Sequence, residues 1–259
     1  MLLKKIMKVT DKRHFEQYKL TLGAGLNLLV QKFDFSQRHY DLTYQTQASA
    51  VYSSNIEGNT IDLNSFMNYK QFKTKAKPQK EVQEIEDLIS AYNFAQETML
   101  TEQNLLKAHK ILSKQFLIAS LRGKYRNAKV GVFGQSGLVY LAVEAEHVAA
   151  VMKSFFDEIS TLLAASLSLE EVFYFAALIH LRFVHIHPFA DGNGRAARLL
   201  EKWFLAQKLG KLFWNLPSEK YYKDHQADYY NNINLGVNFY ELDYNKCLPF
   251  LVMLVGCLG

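Results

Sequence analysis

The sequence predicts an all-α fold that carries one small β-hairpin. Only four prolines interrupt the 259 residues, and proline is the residue that most strongly breaks helices. Apolar residues recur with helical spacing along most of the chain. Residues 129–143 depart from this pattern, because two β-rich runs flank a glycine-containing turn there. Such a pattern is typical of a hairpin.

The helical pattern also predicts where individual helices begin. Ser168 and Glu171 form a predicted capping box ahead of an apolar helix, and Thr101 is a predicted N-cap. The segment around Pro78 is the most loop-like stretch, and we interpret it as a connection within a single domain of residues 1–259. The predicted helices span residues 12–32, 37–56, 62–73, 79–99, 101–118, 144–164, 169–186, 193–208, 218–236 and 242–256.

Composition limits the classes of function. The contents of 49% hydrophobic and 21% charged residues are typical of a soluble globular protein. The net charge of +5 is mild and no Lys/Arg block is present, so nothing directly indicates a nucleic-acid partner. Cys247 and Cys257 lie in an apolar segment and are expected to be buried free thiols, which favours the reducing cytoplasm.

No membrane association is expected. The N-terminus lacks the apolar core and cleavage site of a signal peptide. The apolar run at residues 172–186 is too short for a membrane span and carries two histidines and an arginine. The sequence leaves a homo-oligomer open.

The stretch from His187 to Arg198 reads HPFADGNGRAAR and joins two predicted helices. A helix N-terminus exposes unpaired N–H groups and the positive end of its dipole, so it is suited to an anion. Gly192 and Gly194 allow a phosphate to approach the backbone closely. Arg195 and Arg198 are neighbours on the second helix and can fork onto phosphate oxygens. The stretch therefore predicts a site for nucleotide phosphates.

Three further side chains of this loop add chemistry. Asp191 is a hard oxygen ligand that suits Mg²⁺. His187 stands at the loop entrance, where it could accept a proton from an attacking hydroxyl. Asn193 lies between the glycines and either donates to the α-phosphate or serves only to adopt a left-handed turn.

The loop resembles the signature of the Fic family, H-x-F-x-D/E-G-N-G-R-x-x-R. Proteins of this family typically transfer AMP from ATP to a protein hydroxyl. The resemblance implies a Fic-type helical bundle and a protein adenylyltransferase that uses ATP and Mg²⁺. Its partner would be an unidentified target protein with a Ser, Thr or Tyr hydroxyl. All specified positions match, namely His187, Phe189, Asp191, Gly192, Asn193, Gly194, Arg195 and Arg198.

The predicted hairpin resembles the flap that holds the target segment beside the catalytic loop in this family. Gly123, Tyr125 and Arg126 match the G-x-Y-R lead-in. Relatives often have a proline after the second strand, whereas residues 141–143 here are Leu-Ala-Val. The alternative is that the hairpin has only a structural role. The flap residues expected to bind an extended target are Val130, Val132, Val139 and Tyr140.

Residues 53–59 read SSNIEGN, which indicates a helix end with a glycine stop. An acid such as Glu57 is electrostatically disfavoured at a helix C-terminus. The segment resembles the inhibitory motif of the family, S/T-x-x-x-E-G/N, through Ser53, Glu57 and Gly58. The resemblance implies that Glu57 pairs with Arg198 and blocks the place of the ATP γ-phosphate.

Other candidate positions have plain structural alternatives. Tyr229 and Tyr230 resemble a Tyr-Tyr region beside the adenine in relatives, although such pairs are most often core. His180 and His185 are expected to be core histidines, since no compact set of zinc ligands accompanies them. Many relatives carry a C-terminal winged helix, and the residues after the last predicted helix are too few for one, so no DNA-binding role is expected from it.

Two alternative functions use the same site. In a deAMPylase, Glu57 would orient a water that removes AMP from a modified target. A nucleotide-binding interaction protein would bind without turnover. An intact His187 argues against the second alternative, because binding alone needs no base at that position.

Overall fold

The structure is a computed structural model that describes residues 7–23, 25–33, 42–72, 79–134 and 137–259. Helices dominate this part of the chain and one two-stranded sheet accompanies them, so the predicted all-α fold with a hairpin is confirmed. None of the helices described is long and apolar enough to cross a membrane. The elements are α1 (Phe15–Leu22), α2 (Gly25–Lys32), α3 (Leu42–Ile56), α4 (Leu63–Phe72), α5 (Gln79–Gln96), α6 (Glu102–Leu112), β1 (Gly131–Gly134), β2 (Gly137–Leu141), α7 (Ala145–Ala164), α8 (Leu169–Ile186), α9 (Asn193–Leu209), α10 (Ser218–Asp224), α11 (Gln226–Ile233) and α12 (Leu248–Gly256).

Helix α8 forms the centre of the core, and α9 packs against it. The predicted capping box is confirmed, because Ser168 Oγ accepts from Glu171 N at 3.2 Å and Glu171 Oε2 accepts from Ser168 N at 2.8 Å. Nearly all side chains of α8 and of the first three turns of α9 are buried. The loop between these two helices is therefore attached to the most deeply buried part of the protein.

Two long predicted helices are each split into two. The prediction of one helix over residues 12–32 is wrong, because Gly23 takes a φ of +58° and separates α1 from α2. The helix predicted over residues 218–236 breaks at His225, whose backbone leaves the helical region between α10 and α11. Glycine adopts positive φ values at little cost, so residue 23 can end α1 in this way.

Other helix boundaries shift by less. The helix predicted from residue 101 ends at Leu112 instead of residue 118, and the Arg122 guanidinium binds two carbonyl oxygens of the turn that follows. Thr101 caps this helix as predicted, since its Oγ1 accepts from Asn104 N at 3.2 Å. Residues 37–41 of another predicted helix lie outside the described residues.

The predicted hairpin is present, with β1 antiparallel to β2 and an irregularity in register between Val132 and Phe133. The end of β2 also bonds to a later segment of the chain. Leu141 N donates to Val237 O at 2.9 Å, and Phe239 N donates to Leu141 O at 3.0 Å. Because an isolated hairpin is marginal in water, this third segment helps to stabilise it.

A buried ion pair ties the helices that precede α6 to the centre of the fold. Lys202 Nζ of α9 donates to Glu219 Oε2 of α10 at 2.5 Å and to Ser49 Oγ of α3 at 2.7 Å. Tyr92 of α5 donates to the other oxygen of Glu219 at 2.6 Å. Both charged side chains have 0% exposure, so each depends on the other for compensation of its charge.

Replacement of Lys202 by Met should therefore lower the free energy of unfolding by about 3–5 kcal/mol, because Glu219 would be left as an unpaired buried charge. Urea denaturation monitored by circular dichroism would measure this change. Lys246→Met is a suitable control, since its pair with Asp243 is 3.6 Å long and its side chain is 72% exposed. The assignment fails if both substitutions change the unfolding free energy by the same small amount.

Candidate active site

His187 ends helix α8 in a left-handed conformation, with φ 52° and ψ 58°. Among the described residues it is the one non-glycine residue with a positive φ. Its N–H still closes the helix by donating to the Phe183 carbonyl at 3.0 Å. Such a conformation is uncommon outside glycine and tends to occur at functional sites. The direction of the imidazole is thus set by the backbone at the end of a buried helix.

One ring nitrogen of His187 is left available for proton transfer. Nδ1 lies 3.3 Å from the Val184 carbonyl, which can only accept, so Nδ1 carries the hydrogen and Nε2 has the lone pair. Burial lowers the pKa of His187 below its ordinary value of 6.5, and the charge of Arg126 lowers it further. Glu57 and Asp191 act in the opposite direction but do not outweigh the burial. The imidazole is therefore a neutral base at neutral pH.

Arg126 joins the flap to the loop of residues 187–198, which we call the catalytic loop. Its Nε donates to the His187 carbonyl at 2.7 Å, and its backbone N–H donates to the Pro188 carbonyl at 2.9 Å. Its Nη2 donates to the carbonyl of Val143, just beyond β2, at 2.5 Å. The lead-in to the hairpin thus holds both the hairpin exit and the loop entrance, and no proline is needed after β2.

The predicted flap residues have different environments. Tyr140 is buried, and its hydroxyl donates to the His185 carbonyl at 2.6 Å. This contact anchors the flap and leaves only the Tyr140 backbone for an extended partner. Val130 and Val139 are partly exposed beside it, while the Val132 side chain lies outside the described part of the structure.

The loop is held closed by Asn193. Its Oδ1 accepts from Phe189 N at 2.9 Å and its Nδ2 donates to Phe189 O at 3.0 Å. Asn193 is buried, and its amide fixes the turn through these two bonds. The alternative that Asn193 adopts a left-handed conformation is wrong, because α9 begins at this residue and the left-handed position belongs to Gly192, with φ 81°. A contact from Asn193 to an α-phosphate stays a prediction.

His109 of α6 packs against the loop, and no pattern in the sequence had indicated this residue. Its ring stacks on Phe189 at 3.5 Å between centroids with an interplanar angle of 9°. Nδ1 accepts from Gly123 N at 3.0 Å, so Nε2 carries the hydrogen that is donated to the Asp191 carbonyl at 2.9 Å. Burial lowers the pKa of His109 to about 4, which keeps this neutral tautomer.

Asp191 points outward from the loop, with its side chain 54% exposed. Its Oδ1 accepts from Gly192 N at 2.6 Å and lies 3.5 Å from Arg195 Nη2. Within the described residues, no group of three His, Cys, Asp or Glu side chains gathers to hold a metal. An ion here would be held by one carboxylate together with substrate phosphates, which is the donor set that Mg²⁺ commonly uses. The residues present therefore fit a phosphate-bound Mg²⁺.

Arg195 is held by two side chains that the sequence did not indicate. Its Nη1 donates to Glu84 Oε1 of α5, and its guanidinium lies 3.7 Å from the centre of the Phe116 ring. Burial raises the pKa of Glu84, and the Arg195 charge only partly offsets this. The planar guanidinium thus lies between an acid and an aromatic face, in an arrangement that lysine could not reproduce.

Arg198 is fully buried and directs its donors at α3 and α11. Its Nη2 donates to Glu57 Oε1 at 2.6 Å and to Ser53 O at 3.0 Å, and its Nε donates to Ser53 Oγ at 2.9 Å. Its Nη1 donates to Tyr229 OH at 3.1 Å. Burial alone would lower the pKa of Arg198, but Tyr229 and Glu57 outweigh it and raise the pKa.

The Glu57 carboxylate lies at the N-terminus of α9, where the sequence predicts a phosphate. A methyl group built on Gly194 would come within 2.3 Å of Glu57 Oε1, so the carboxylate rests directly on the glycine backbone. The first intrahelical bond of α9 runs from Ala196 N to Gly192 O. The N–H groups that precede Ala196 in the first turn therefore have no partner within the helix. Burial raises the pKa of Glu57, yet Arg198 and Arg195 bring it below the ordinary value. A charged carboxylate therefore occupies the anion position.

Tyr229 belongs to a buried chain of polar groups behind Arg198. Its hydroxyl accepts from Arg198 and lies 2.9 Å from His180 Nε2, while His180 Nδ1 lies 2.9 Å from Glu201 Oε2. Tyr222 OH donates to both oxygens of the same glutamate. Tyr229 is 1% exposed, so it supports Arg198 and would meet a nucleotide only through that arginine.

Tyr230 has a different environment from its neighbour. It is 47% exposed, and its hydroxyl donates to the Ile56 carbonyl at the end of α3 at 3.0 Å. Its ring thus stands beside the helix that carries Glu57. A contact of this ring with adenine stays a prediction.

A sequence model described as the Fic/DOC family matches residues 99–205. This stretch includes the flap, the catalytic loop and both signature arginines. The chain carries a Fic/DOC family domain. Glu57 and Glu84 precede the matched stretch and Tyr229 follows it, so the Fic domain receives parts of its site from both flanks.

Curated relatives of this chain bear the name "Protein adenylyltransferase Fic". The relative from Nematostella vectensis is 27% identical over 219 residues, which are 80% of this chain and 46% of that protein. The relative from Drosophila willistoni is 29% identical over 214 residues, which are 80% of this chain and 39% of that protein. The chain thus spans less than half the length of these two relatives.

Solved structures share the fold. A Fic family protein from Desulfovibrio desulfuricans G20 has a TM-score of 0.77 at 25% identity, covering 93% of this chain and 71% of that chain. A Fic domain containing signaling protein from Bacteroides thetaiotaomicron has a TM-score of 0.70 at 22% identity, covering 90% of this chain and 92% of that chain. The likeness therefore includes the helices that flank the Fic domain.

The environment of His187 predicts its titration. The pKa of the imidazole should lie below 6.5, and Glu57→Gln should lower it further because the glutamate charge favours the imidazolium. NMR titration of histidine-labelled protein, with the His187 signal assigned from a His187→Ala spectrum, would measure both values. A wild-type pKa at or above 6.5, or a rise in the variant, would contradict this account.

Proposed function

We propose that this Fic protein is an adenylyltransferase that transfers AMP from ATP to a Ser, Thr or Tyr hydroxyl of a target protein and is inhibited by Glu57. One observation carries the proposal: the Glu57 carboxylate lies on Gly194 and is bonded to Arg198, within the anion site that His187 borders. The names of the curated relatives support the reaction class. The helices before residue 99 would form one regulatory and catalytic unit with the Fic domain.

The chemistry proceeds by direct displacement at the α-phosphorus. His187 Nε2 accepts the proton of the target hydroxyl while that oxygen forms a bond to the α-phosphorus. The bond from the α-phosphorus to the bridging oxygen breaks, and pyrophosphate leaves with the electron pair. Positioning of the reactants and charge stabilisation supply most of the acceleration in such transfers.

The other residues of the site hold the nucleotide. The N–H groups at the start of α9, with Gly192, Gly194 and Arg195, would bind the phosphates, and Arg198 would bind the γ-phosphate once Glu57 has left it. Asp191 would hold Mg²⁺, which neutralises phosphate charge when bound. The flap would bind the target segment through the edge of β1 or β2. The two buried free thiols support the proposal of a cytoplasmic location.

A deAMPylase remains the second candidate, and one observation favours it. The Glu57 side chain is 29% exposed within the site, so its carboxylate could orient a water instead of only blocking ATP. The two functions respond in opposite directions to loss of Glu57. A protein that only binds nucleotides would show turnover in neither direction.

Glu57→Gly should raise AMP transfer at least tenfold, since each ~1.4 kcal/mol of productive ATP binding that is regained corresponds to a factor of ten. Incubation with labelled ATP and a cell lysate, followed by detection of labelled protein, would measure transfer.

His187→Ala in the Glu57→Gly background should lower the rate of AMP transfer by about 10²–10⁴-fold because the base is lost. Arg198→Met in that background should also cancel the gain. If Glu57→Gly instead abolishes removal of AMP from a modified target, the protein is a deAMPylase.

Asp191 should carry the dependence on metal. In the Glu57→Gly background, Asp191→Ala should lower AMP transfer and shift the Mg²⁺ titration to higher concentration, because the only protein carboxylate proposed as a ligand is gone. Asp191→Glu keeps a carboxylate and should retain more activity than the alanine variant. An identical Mg²⁺ titration in the parent and the Asp191→Ala variant would exclude this residue as the ligand.

A further inference from the structure

The C-terminal end of helix α3 is bound by side chains from α10 and α11. Gln226 Nε2 donates to the Ile56 carbonyl at 2.8 Å, and Tyr230 OH donates to the same oxygen at 3.0 Å. Lys223 Nζ donates to the Asn55 carbonyl at 3.1 Å. These carbonyls belong to the two residues immediately before Glu57. We refer to Lys223, Gln226 and Tyr230 as the α3 clamp.

The clamp meets a physical need of this helix end. The last carbonyls of a helix have no intrahelical partner, and the negative end of the helix dipole disfavours an acid such as Glu57. Arg198 Nη2 binds the Ser53 carbonyl at 3.0 Å, and the Lys223 ammonium binds the Asn55 carbonyl, so two cations face this end. Together they offset the unfavourable position of the glutamate.

The turn after α3 is closed separately, by contacts within its own neighbourhood. Asn55 Nδ2 donates to the carbonyls of Asn59 at 2.8 Å and Ile61 at 2.9 Å. Gly58 adopts a φ of +97°, which reverses the chain directly after Glu57. These contacts fix the turn relative to α3 but do not link it to the α10–α11 region. The α3 clamp makes that link at the Ile56 end, where it adds to the packing of α10 along α3. Asn59 and Thr60 also bind Glu81 and so tie the turn to α5.

We propose that Lys223 and Gln226, together with Tyr230, are positioning residues that hold Glu57 in its inhibitory place on Arg198. This inference rests on the proposed function, since it concerns the regulation of the same site. The members of the clamp reinforce each other, because Lys223 Nζ also donates to Gln226 Oε1 at 2.8 Å. Loss of the clamp would let the end of α3 move, and Glu57 would occupy the anion position for a smaller fraction of the time. The apparent affinity for nucleotide would then rise in proportion to the open fraction.

The test combines Lys223→Met with Gln226→Leu and leaves Tyr230 unchanged, because that ring is a candidate nucleotide contact. Binding of Mg²⁺·ATP by calorimetry and AMP transfer with labelled ATP are measured in the wild-type and in the Glu57→Gly background. With Glu57 present, the double substitution should increase both by about tenfold, the change expected for loss of hydrogen bonds of ordinary net strength. With Glu57→Gly it should change neither.

Matched variants separate positioning from general loosening. Asp228→Asn alters a charge on the exposed face of α11 and should leave both measurements at wild-type values. Lys223→Arg keeps a cationic donor, so Lys223→Arg with Gln226 intact should also match wild type. Melting temperatures show whether each variant is folded, and Gln226→Leu alone serves if the double variant is not.

The outcomes decide between the proposals. The clamp proposal is wrong if Lys223→Met with Gln226→Leu raises neither ATP affinity nor AMP transfer while Glu57→Gly raises them. This result would leave the proposed function intact. The clamp proposal is also wrong if the gain persists in the Glu57→Gly background, because the substitutions then act on the nucleotide site directly. If Glu57→Gly itself gives no gain in affinity or transfer, autoinhibition is wrong, and the clamp proposal falls with it.

Discussion

The ion pair between Arg198 and Glu57 is the contact around which the site is arranged. Arg198 is fully buried, and a buried cation costs several kcal/mol in lost hydration unless its donors are paired. Ser53, Glu57 and Tyr229 supply those acceptors, and in the sequence they lie before and after the Fic domain. The position of α3 is therefore coupled to the state of the anion site. If α3 moved away, Arg198 would need new acceptors in place of Ser53 and Glu57.

Each signature arginine is bound by an acid that lies outside residues 99–205. Glu57 pairs with Arg198, and Glu84 pairs with Arg195. With the nearby Asp191, three carboxylates face two guanidinium groups in the region where phosphates are expected. With more negative than positive side chains at this position, binding of a polyanion is electrostatically unfavourable unless one carboxylate moves away or a cation binds as well. The charge around the two arginines therefore depends on residues outside the Fic domain as well as within it.

The catalytic loop itself is held by contacts that leave it little freedom. Asn193 closes it on Phe189, and His109 supports it through both the Phe189 ring and the Asp191 carbonyl. Arg126 fixes the carbonyl of His187 and the exit of the flap. Catalytic groups must be held within a fraction of an ångström to be effective, and side chains locked by such neighbours achieve this. The geometry of the loop is therefore set by Asn193, His109 and Arg126.

Short-range sequence patterns account for the local features of this protein. The helix at residues 169–186, its capping box, the hairpin and the residues of the catalytic loop all follow from short-range patterns, because periodicity, capping and turn chemistry act between near neighbours. Splitting of the helix at residues 12–32 was missed even though Gly23 lies within it. One glycine is tolerated in many helices, so its effect depends on the surroundings.

The distant residues that complete the site are defined by how the helices pack together. Glu84 meets Arg195 from 111 positions away, and Gln226 meets Ile56 from 170 positions away. Neither contact has a local pattern, since any exposed acid or amide on a predicted helix looks alike until the helices are packed. The burial of Tyr229 and the exposure of Tyr230 were likewise indistinguishable in sequence. Packing of α3, α5 and α11 around α9 made these assignments, because long-range contacts depend on how elements meet and not on their own sequences.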